Sequence, residues 1–376
     1  MVAKVFASVR NSFLFCLEDL EKEIRRNFSS YDFLIFSIHP SFPREDVNQL
    51  IQKVFGTTNY LAFSSISSFW NEKIIEKGVV CCVMKMEREG SVNLQVLDSI
   101  FEKESVNQLA DYFNTHSNSF HFFLGNYSES MGFFIEEVSS RLQYQPVNNI
   151  VGGLCSTTGV QKKTAIFVDN KIIEDGVAIL SFHGFDVATG ISLGFQPYGI
   201  TYTIAKGEGV KIVSVDDGKE FYHIAKDFLK DIPNPDIRYL WYAPIYILDE
   251  DEGYLATLRT FKSIKEDGVE FYGPIKKGQK FKLSFAGPEE ILNEDKRVAT
   301  EIKPQVPYPE LTFNVSCVAR QYVLEDKQHK EIDIYTNIFN THLFGFFSFG
   351  EVGPDSKYNR LKLFNETSLV AILREK

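Results

Sequence analysis

Short apolar runs alternate with amphipathic stretches in the first part of the chain. Apolar runs at 33–36 and 60–63 flank a helix-like stretch at 45–55, and a hairpin and a further apolar run follow. Short apolar runs are typical of buried strands, whereas apolar residues three or four positions apart indicate one face of a helix. The pattern therefore predicts a module of strand, helix, strand, hairpin and strand over about residues 31–98.

The same order of elements returns further along the chain. The string KIIEKGVV at 73–80 is echoed by KIIEDGVA at 171–178, an offset of 171 − 73 = 98 residues. Apolar runs at 122–124 and 150–151 again flank a helical stripe. We therefore predict a second copy of the module over about residues 120–183. Two copies are too few for a stacked repeat array, so we expect a mixed α/β (α+β) fold.

Length and proline positions predict two domains. A chain of 376 residues is longer than a chain that ordinarily folds around a single hydrophobic core. An N-terminal amphipathic helix within 1–30 is expected to dock on the first module. The first domain, 31–232, holds both modules, junction strands and a helix that Pro233 and Pro235 terminate. The second domain, 233–376, is expected to be strand-rich α+β, with a return to the earlier order of elements near its end.

Composition excludes several classes of protein. The formal net charge of −10 is spread without long blocks, whereas nucleic-acid binding needs a clustered basic face. No uncharged run reaches the quality of a membrane span, so we expect no membrane insertion. The five cysteines are odd in number and contain no CxxC pair, which favours neither a disulfide framework nor a metal site. We therefore expect a reduced, cytoplasmic protein.

Loops that follow buried strands are the first candidate sites, because the common catalytic motifs are absent. The sequence has no GxSxG elbow, no HExxH and no Rossmann glycine fingerprint. After the run at 150–151, Gly152 and Gly153 would allow close backbone approach, and Ser156 and Thr157 offer hydroxyl groups to a polar ligand. The same residues are equally typical of a simple strand-exit turn.

A second candidate cluster lies near the C-terminus. One predicted strand ends in Cys317 and Arg320, and another ends in Phe347, Gly350 and Glu351. If the two strands are neighbours, the guanidinium and the carboxylate face one opening and would clamp an amino acid or another zwitterion. Alternatively, the two charges pair with each other and bind nothing.

These strings resemble the FIST family (F-box and intracellular signal transduction proteins). The segment 151–180 is similar to the family's N-terminal part, and 194–218 is similar to its junction. The strings SCVAR at 316–320 and GFFSFGEVG at 345–353 resemble its C-terminal part, and the second of them is the most specific. Residues 62–69 depart from the family's glycine-containing loop, which puts any ligand site at that loop in doubt.

The resemblance implies a sensory module that binds a small polar ligand, such as an amino acid, and passes the signal to a separate protein partner. Some relatives bind haem and sense nitric oxide, so a haem sensor is an alternative, with His39 or His183 as the axial ligand. We expect these histidines at equivalent strand ends of the two modules. Otherwise we expect no cofactor and no enzymatic activity.

A cysteine-dependent enzyme is a further alternative. A neighbouring cation lowers the pKa of a thiol, and Cys317 lies close to Arg320 in the sequence. We therefore expect Cys317 to be the most reactive of the five thiols. The competing interpretation is an ordinary buried strand cysteine.

Overall fold

Three similar six-stranded sheets and one eight-stranded sheet make up the part of the chain that the structure describes. The computed structural model describes residues 1–146, 149–158, 163–233, 235–248, 255–355 and 359–376. Each six-stranded sheet is built on one copy of the module. The predicted duplication is confirmed, and the expected return to the earlier order of elements near the C-terminus is a third copy of the module.

The first module begins with an edge strand and a helix and then follows the predicted order. Its elements are β1 (Val2–Ser8), α1 (Phe13–Asn27), β2 (Phe33–Ile38), α2 (Val47–Phe55), β3 (Tyr60–Ser64), β4 (Ser68–Trp70), β5 (Lys73–Ile75) and β6 (Val79–Lys85). Leu17, Leu20 and Ile24 form the buried face of α1, as their spacing predicts. Strand β1 pairs with β6, so residues before 30 contribute a strand as well as the expected helix.

The second module repeats this order. Its elements are β7 (Ser91–Leu97), α3 (Ser105–Thr115), β8 (Phe120–Gly125), α4 (Met131–Ser140), β9 (Ile150–Leu154), β10 (Ile166–Val168), β11 (Lys171–Ile173) and β12 (Val177–His183). The two KII strings form the second hairpin strand of each copy. The expectation for the histidines was wrong. His39 follows β2, whereas His183 ends β12, the last strand of the second module. The equivalent strands β2 and β6, or β8 and β12, run antiparallel within a module.

An excursion interrupts the third module after its edge strand. Strand β13 (Phe185–Ser192) is followed by β14 (Gln196–Glu208), β15 (Lys211–Val215), β16 (Lys219–Glu220), α5 (Phe221–Asp227), β17 (Ile245–Leu248), β18 (Leu255–Arg259), β19 (Phe261–Lys265), β20 (Gly268–Phe271) and β21 (Lys280–Phe285). Strands β14 to β21 pair into one sheet, here called the inserted sheet. The boundary that we predicted at 232–233 falls inside this sheet.

The third module then resumes. Its remaining elements are α6 (Pro288–Ile302), β22 (Leu311–Cys317), α7 (Val318–Leu324), α8 (Gln328–Phe339), β23 (Leu343–Ser348), β24 (Glu351–Pro354), β25 (Leu361–Phe364) and β26 (Ser368–Glu375). Strands β22 and β23 pair in parallel, and β26 lies antiparallel to β22, as in the first two modules. Only the short helix α7 and the inserted sheet are additions to the common order.

Each six-stranded sheet is completed by a hairpin from another module. The hairpin of the second module adds to the first sheet through β10 and β3. The hairpin of the third module adds to the second sheet through β24 and β9, and that of the first module adds to the third sheet through β4 and β23. This exchange closes the three modules into a ring.

Phenylalanine rings fill the core that the modules share. The ring of Phe63 from the first module lies 4.7 Å from that of Phe346 in the third. The ring of Phe122 from the second module stacks on Phe313 of the third at 4.4 Å. Aromatic side chains bury large areas with few rotatable bonds, which explains the use of 34 phenylalanines.

Ser156 lies where the three modules meet. Its hydroxyl group, in the second module, donates to the carbonyl oxygen of Phe347 in the third at 2.6 Å. The hydroxyl oxygen of Ser156 in turn accepts from the amide of Ile66 in the first module at 3.0 Å. The side chain is fully buried. The role of Ser156 in this structure is therefore to join the modules.

We expect Ser156→Ala to lower the free energy of unfolding by about 2–4 kcal/mol, because two buried backbone groups lose a partner. Chemical denaturation followed by circular dichroism measures the change. Ser140→Ala, which removes an exposed hydroxyl group at the end of α4, is the control and should change stability by less than about 0.5 kcal/mol. Equal effects of the two substitutions would contradict a joining role for Ser156.

Candidate functional site

The hairpin exchange brings together the two loop regions that the sequence singled out. Gly153 on β9 pairs with Glu351 on β24, and the amide of Leu154 donates to the carbonyl oxygen of Gly350 at 2.8 Å. Gly152 and Gly153 lie inside a buried strand, and a Cβ atom on Gly153 would lie 2.6 Å from a methyl group of Val315. These glycines therefore permit close packing of strands and do not line an open loop.

Glu351 is a fully buried carboxyl group at the start of β24. It accepts hydrogen bonds from the hydroxyl group of Ser348 and, at 2.8 Å, from that of Thr367. Burial raises the pKa of Glu351 to about 8 because the charged form loses its hydration. Near neutral pH the protonated form is therefore favoured.

Glu366 is a second fully buried carboxyl group, which lies next to β26. Its Oε1 accepts from the hydroxyl group of Thr260 at 2.8 Å, whereas its Oε2 has no hydrogen-bond partner in the described part of the chain. Burial raises the pKa of Glu366 to about 8, and the nearby Glu351 contributes to the increase. Its φ of 58° is unusual for a residue other than glycine. We call Glu351 and Glu366 the buried acid pair.

The inserted sheet covers the buried acid pair. Thr260, which binds Glu366, lies between β18 and β19. Tyr272 follows β20, and its ring lies 6.0 Å from that of Tyr127 in the second module. Tyr127 in turn contacts Phe349 of the third module at 5.5 Å. The pair therefore lies at a junction between the inserted sheet and two modules of the ring.

Sequence reasoning missed Glu366 and its neighbours on the inserted sheet. Glu366 lies in a short turn between two strands of the third module, where its sequence context is unremarkable. Thr260 reaches it only through the long-range packing of the inserted sheet. No local pattern signals such a contact.

Arg320 does not take part in the predicted clamp. Strand β22 ends at Cys317 and α7 begins at Val318, so Arg320 lies on a helix and not at a strand end. Its fully buried guanidinium donates to both carboxylate oxygens of Asp295, at 2.7 and 2.9 Å, and more weakly to Glu331 at 3.4 Å. These two acids, from α6 and α8, take up the charge of Arg320, whose positive charge acts on Glu351 only as a minor electrostatic influence that lowers its pKa.

Cys317 lies in an environment that suppresses thiolate formation. Burial raises its pKa well above the usual value, and the charges of Glu351 and Glu366 raise it further. A thiol that stays protonated is a poor nucleophile. The proximity of Arg320 in the sequence is thus misleading, and the structure offers no support for high reactivity of Cys317.

The other candidate residues of the sequence analysis are divided between the core and a cleft. Phe347 is buried, and its ring packs edge-on against Phe69 at 4.7 Å. Thr157 lines a cleft at the carboxyl ends of β2 and β3. We call this the first-module cleft, and it is formed by residues 38–45 with Ser64, Thr157, Lys163 and Phe167.

The two histidines proposed as haem ligands lie in different surroundings. Nδ1 of His183 contacts the hydroxyl group of Ser119, and burial lowers its pKa. His39 lines the first-module cleft, and its Nδ1 lies 2.8 Å from the hydroxyl oxygen of Ser41. The cleft has a volume of about 340 Å³. This is near the lower limit for small-molecule pockets and suits a ligand smaller than a porphyrin.

Two family models match adjacent parts of the chain. The model of the FIST N domain matches residues 32–218, and the model of the FIST C domain matches residues 228–354. An uncharacterized protein of Aquifex aeolicus (strain VF5) is 29% identical to the chain over 246 residues, which is 62% of this chain and 91% of that protein.

Two searches of the described residues gave negative results. None of the helices in these segments combines the length and the apolar character that a membrane crossing requires. Within the same segments, no three His, Cys, Asp or Glu side chains are grouped so that they would hold a metal ion.

Alkylation of native protein tests the environment of the thiols. All five cysteines are buried, and burial raises the pKa of each. We expect brief treatment with iodoacetamide to leave Cys317 unmodified in native protein and to modify all five in denaturant, as read by mass spectrometry. Rapid native labelling of Cys317 ahead of the others would contradict this description of the site.

The buried acid pair also predicts a dependence of stability on pH. The pKa of Glu366 is about 8 in the folded protein against an ordinary value of 4.5, so the folded state holds the proton more tightly than the unfolded state. The resulting stabilisation is complete below about pH 4.5 and is lost as the pH rises through about 8. Glu366→Gln cannot ionise, so its melting temperature should fall less than that of the wild type between these pH values.

Glu76→Gln is the control for this measurement, because it neutralises an exposed glutamate beyond β5. Its melting temperature should follow that of the wild type across the pH range. Parallel curves for the wild type and Glu366→Gln would show that Glu366 does not titrate as described.

Proposed function

Because the chain belongs to the FIST family, whose domains are sensory domains of signal transduction, we propose that it senses a small molecule at the junction between the inserted sheet and the ring. The buried acid pair favours a ligand with a protonated amine, a class that includes the amino acids. The signal then passes to a separate protein partner. No enzymatic step belongs to this proposal.

One observation carries the proposal: Oε2 of Glu366 is fully buried and has no hydrogen-bond partner in the described segments. Leaving such an atom unpaired costs about 1–3 kcal/mol. An ammonium group would donate to this oxygen, and its positive charge would favour the ionised form of both carboxyl groups. Ligand binding therefore relieves a cost that the ligand-free junction carries.

The charges and rings around the pair also favour an amine. Arg320 is already neutralised by Asp295 and Glu331, so it does not offer a site for a ligand carboxylate. Tyr127 and Tyr272 place aromatic rings beside the junction. Such rings attract ammonium groups through their quadrupoles. An amine site therefore takes the place of the two-ended clamp that the sequence suggested.

The inserted sheet is the element that would report binding. It supplies Thr260 to the junction, and it contacts the second module through exposed ion pairs, including that between Lys276 and Glu136. Exposed ion pairs contribute little to stability. A ligand at the buried acid pair would therefore shift the inserted sheet against the ring and change the surface that a partner meets. The free cysteines favour a reducing compartment such as the cytoplasm for this role.

Calorimetry with three probes that share one apolar chain tests the proposal: butylamine, butanol and butyrate. We expect butylamine to bind the wild type best at pH 7, because only it carries a positive charge. Glu366→Gln should weaken butylamine binding by about tenfold or more, since it removes a charged acceptor. Glu76→Gln is again the matched control and should bind like the wild type.

Two results would overturn the proposal. Equal binding of butylamine and butanol, or butylamine affinity that Glu366→Gln leaves unchanged, would remove the amine site. A stoichiometric Soret band in freshly purified protein would instead favour haem sensing through His39 or His183.

A further inference from the structure

The first-module cleft has the position of a ligand site in an α/β protein. It lies at the carboxyl ends of the parallel strands β2 and β3, in front of the N-terminus of α2. Ligands commonly bind at such strand ends. We propose that the first-module cleft binds a small organic acid, with its carboxylate towards α2 and its apolar body against the cleft walls.

The helix supplies donors for the carboxylate. Helix α2 has nine residues, and the side chain of Asp46 at its N-cap position makes no capping hydrogen bond. The amide of Val47 already donates to the carbonyl oxygen of Arg44 at 3.3 Å, but the later first-turn amides of an uncapped helix still need acceptors, and the helix dipole favours an anion there. Arg44 lines the same end of the cleft and is fixed by Glu174 at 2.9 Å and by the carbonyl oxygen of Thr164 at 3.4 Å.

Thr157 provides an independent indication of a ligand. It lines the cleft from the second module, and it is 7% exposed. Its Oγ1 has no hydrogen-bond partner among the residues that the structure describes. A buried hydroxyl group without a partner is costly, and a carboxylate in the cleft would accept its hydrogen bond.

The charged residues around the cleft favour a ligand with one negative charge over a ligand with several. Arg44 and Lys163 are the cations that line it, and Glu45 also lines it. Glu174 pairs with both cations, and Asp175 pairs with Lys163 at 3.2 Å. Because these three acids outnumber the two cations, no surplus positive charge is left for a phosphate with two charges, and a monocarboxylate held by neutral donors fits the site better.

The walls of the cleft favour an apolar body on the acid. The lining includes the side chains of Ile38, Phe42, Val47 and Phe167. Burial of apolar ligand surface against them contributes about 25 cal/mol per Å². A volume of about 340 Å³ suits a molecule the size of an aromatic or short aliphatic acid.

The first-module cleft shares no residue with the buried acid pair. Binding at the cleft is therefore independent of the function proposed for the junction. A negative result at one site leaves the other proposal untouched.

Three probes with the same ring separate the charge requirement from apolar binding: phenylacetate, phenylacetamide and phenethylamine. Calorimetry should show that phenylacetate binds at least about tenfold more tightly than the other two. Thr157→Val should weaken phenylacetate binding by about tenfold, because it removes a donor to a charged acceptor. Thr115→Val, at the end of α3 on an exposed surface, should bind phenylacetate like the wild type.

Thr157→Val is expected to keep the melting temperature of the wild type or to raise it, because the hydroxyl group that it removes has no hydrogen-bond partner among the described residues. Loss of binding with retained stability therefore identifies a ligand contact.

Arg44→Gln is a second variant and should also weaken phenylacetate binding. The proposal is overturned if phenylacetate does not bind at up to about 10 mM, if the three probes bind equally, or if Thr157→Val binds like the wild type.

Discussion

The exchange of hairpins between modules is the interaction on which the rest of the structure depends. Without it, β3, β9 and β23 would each be an edge strand with a row of unpaired backbone groups. Each module therefore needs a neighbour to complete its sheet. Three modules satisfy this requirement when they close into a ring, and the shared phenylalanine core fills the centre of that ring.

The closed ring explains where polar side chains are placed to bind a ligand. The carboxyl ends of the parallel strand pairs occupy related positions in the three modules. In the first module these ends border an open cleft, whereas in the third they carry the buried acid pair beneath the inserted sheet. A closed ring with one inserted sheet packed against it suits a sensor, because a change at the junction would act on one element while the hairpin exchange holds the modules together.

The local elements and the repeated string were predictable, but long-range pairings were not. The KII strings and the apolar runs predicted the first two modules correctly, because both signals are local. The third module was predicted only as a return to the earlier order of elements near the C-terminus, because the inserted sheet separates its edge strand from the rest and its hairpin sequence has diverged. Which hairpin completes which sheet is a non-local property that sequence periodicity does not encode.

In the candidate site, too, local features were predictable from the sequence and long-range contacts were not. Sequence reasoning selected Glu351 and the Gly152–Gly153 segment as two separate candidate sites, and the structure pairs them. It assigned Arg320 to the same opening because a strand was extended by three residues, when a helix begins there instead. Glu366 could not be found, since its significance comes from burial beneath Thr260 of the inserted sheet.

Hydrogen exchange measured by mass spectrometry from about pH 6 to about pH 9 tests the central claim, that the inserted sheet closes over a buried acid pair on a rigid ring. After correction for intrinsic rates, protection should fall in β19, β20 and residues 361–368 as the pH passes the Glu366 pKa of about 8. The hairpins β4–β5 and β10–β11 should stay protected, and Glu366→Gln should abolish most of the fall. A uniform loss across the ring, or an unchanged loss in Glu366→Gln, would contradict the account.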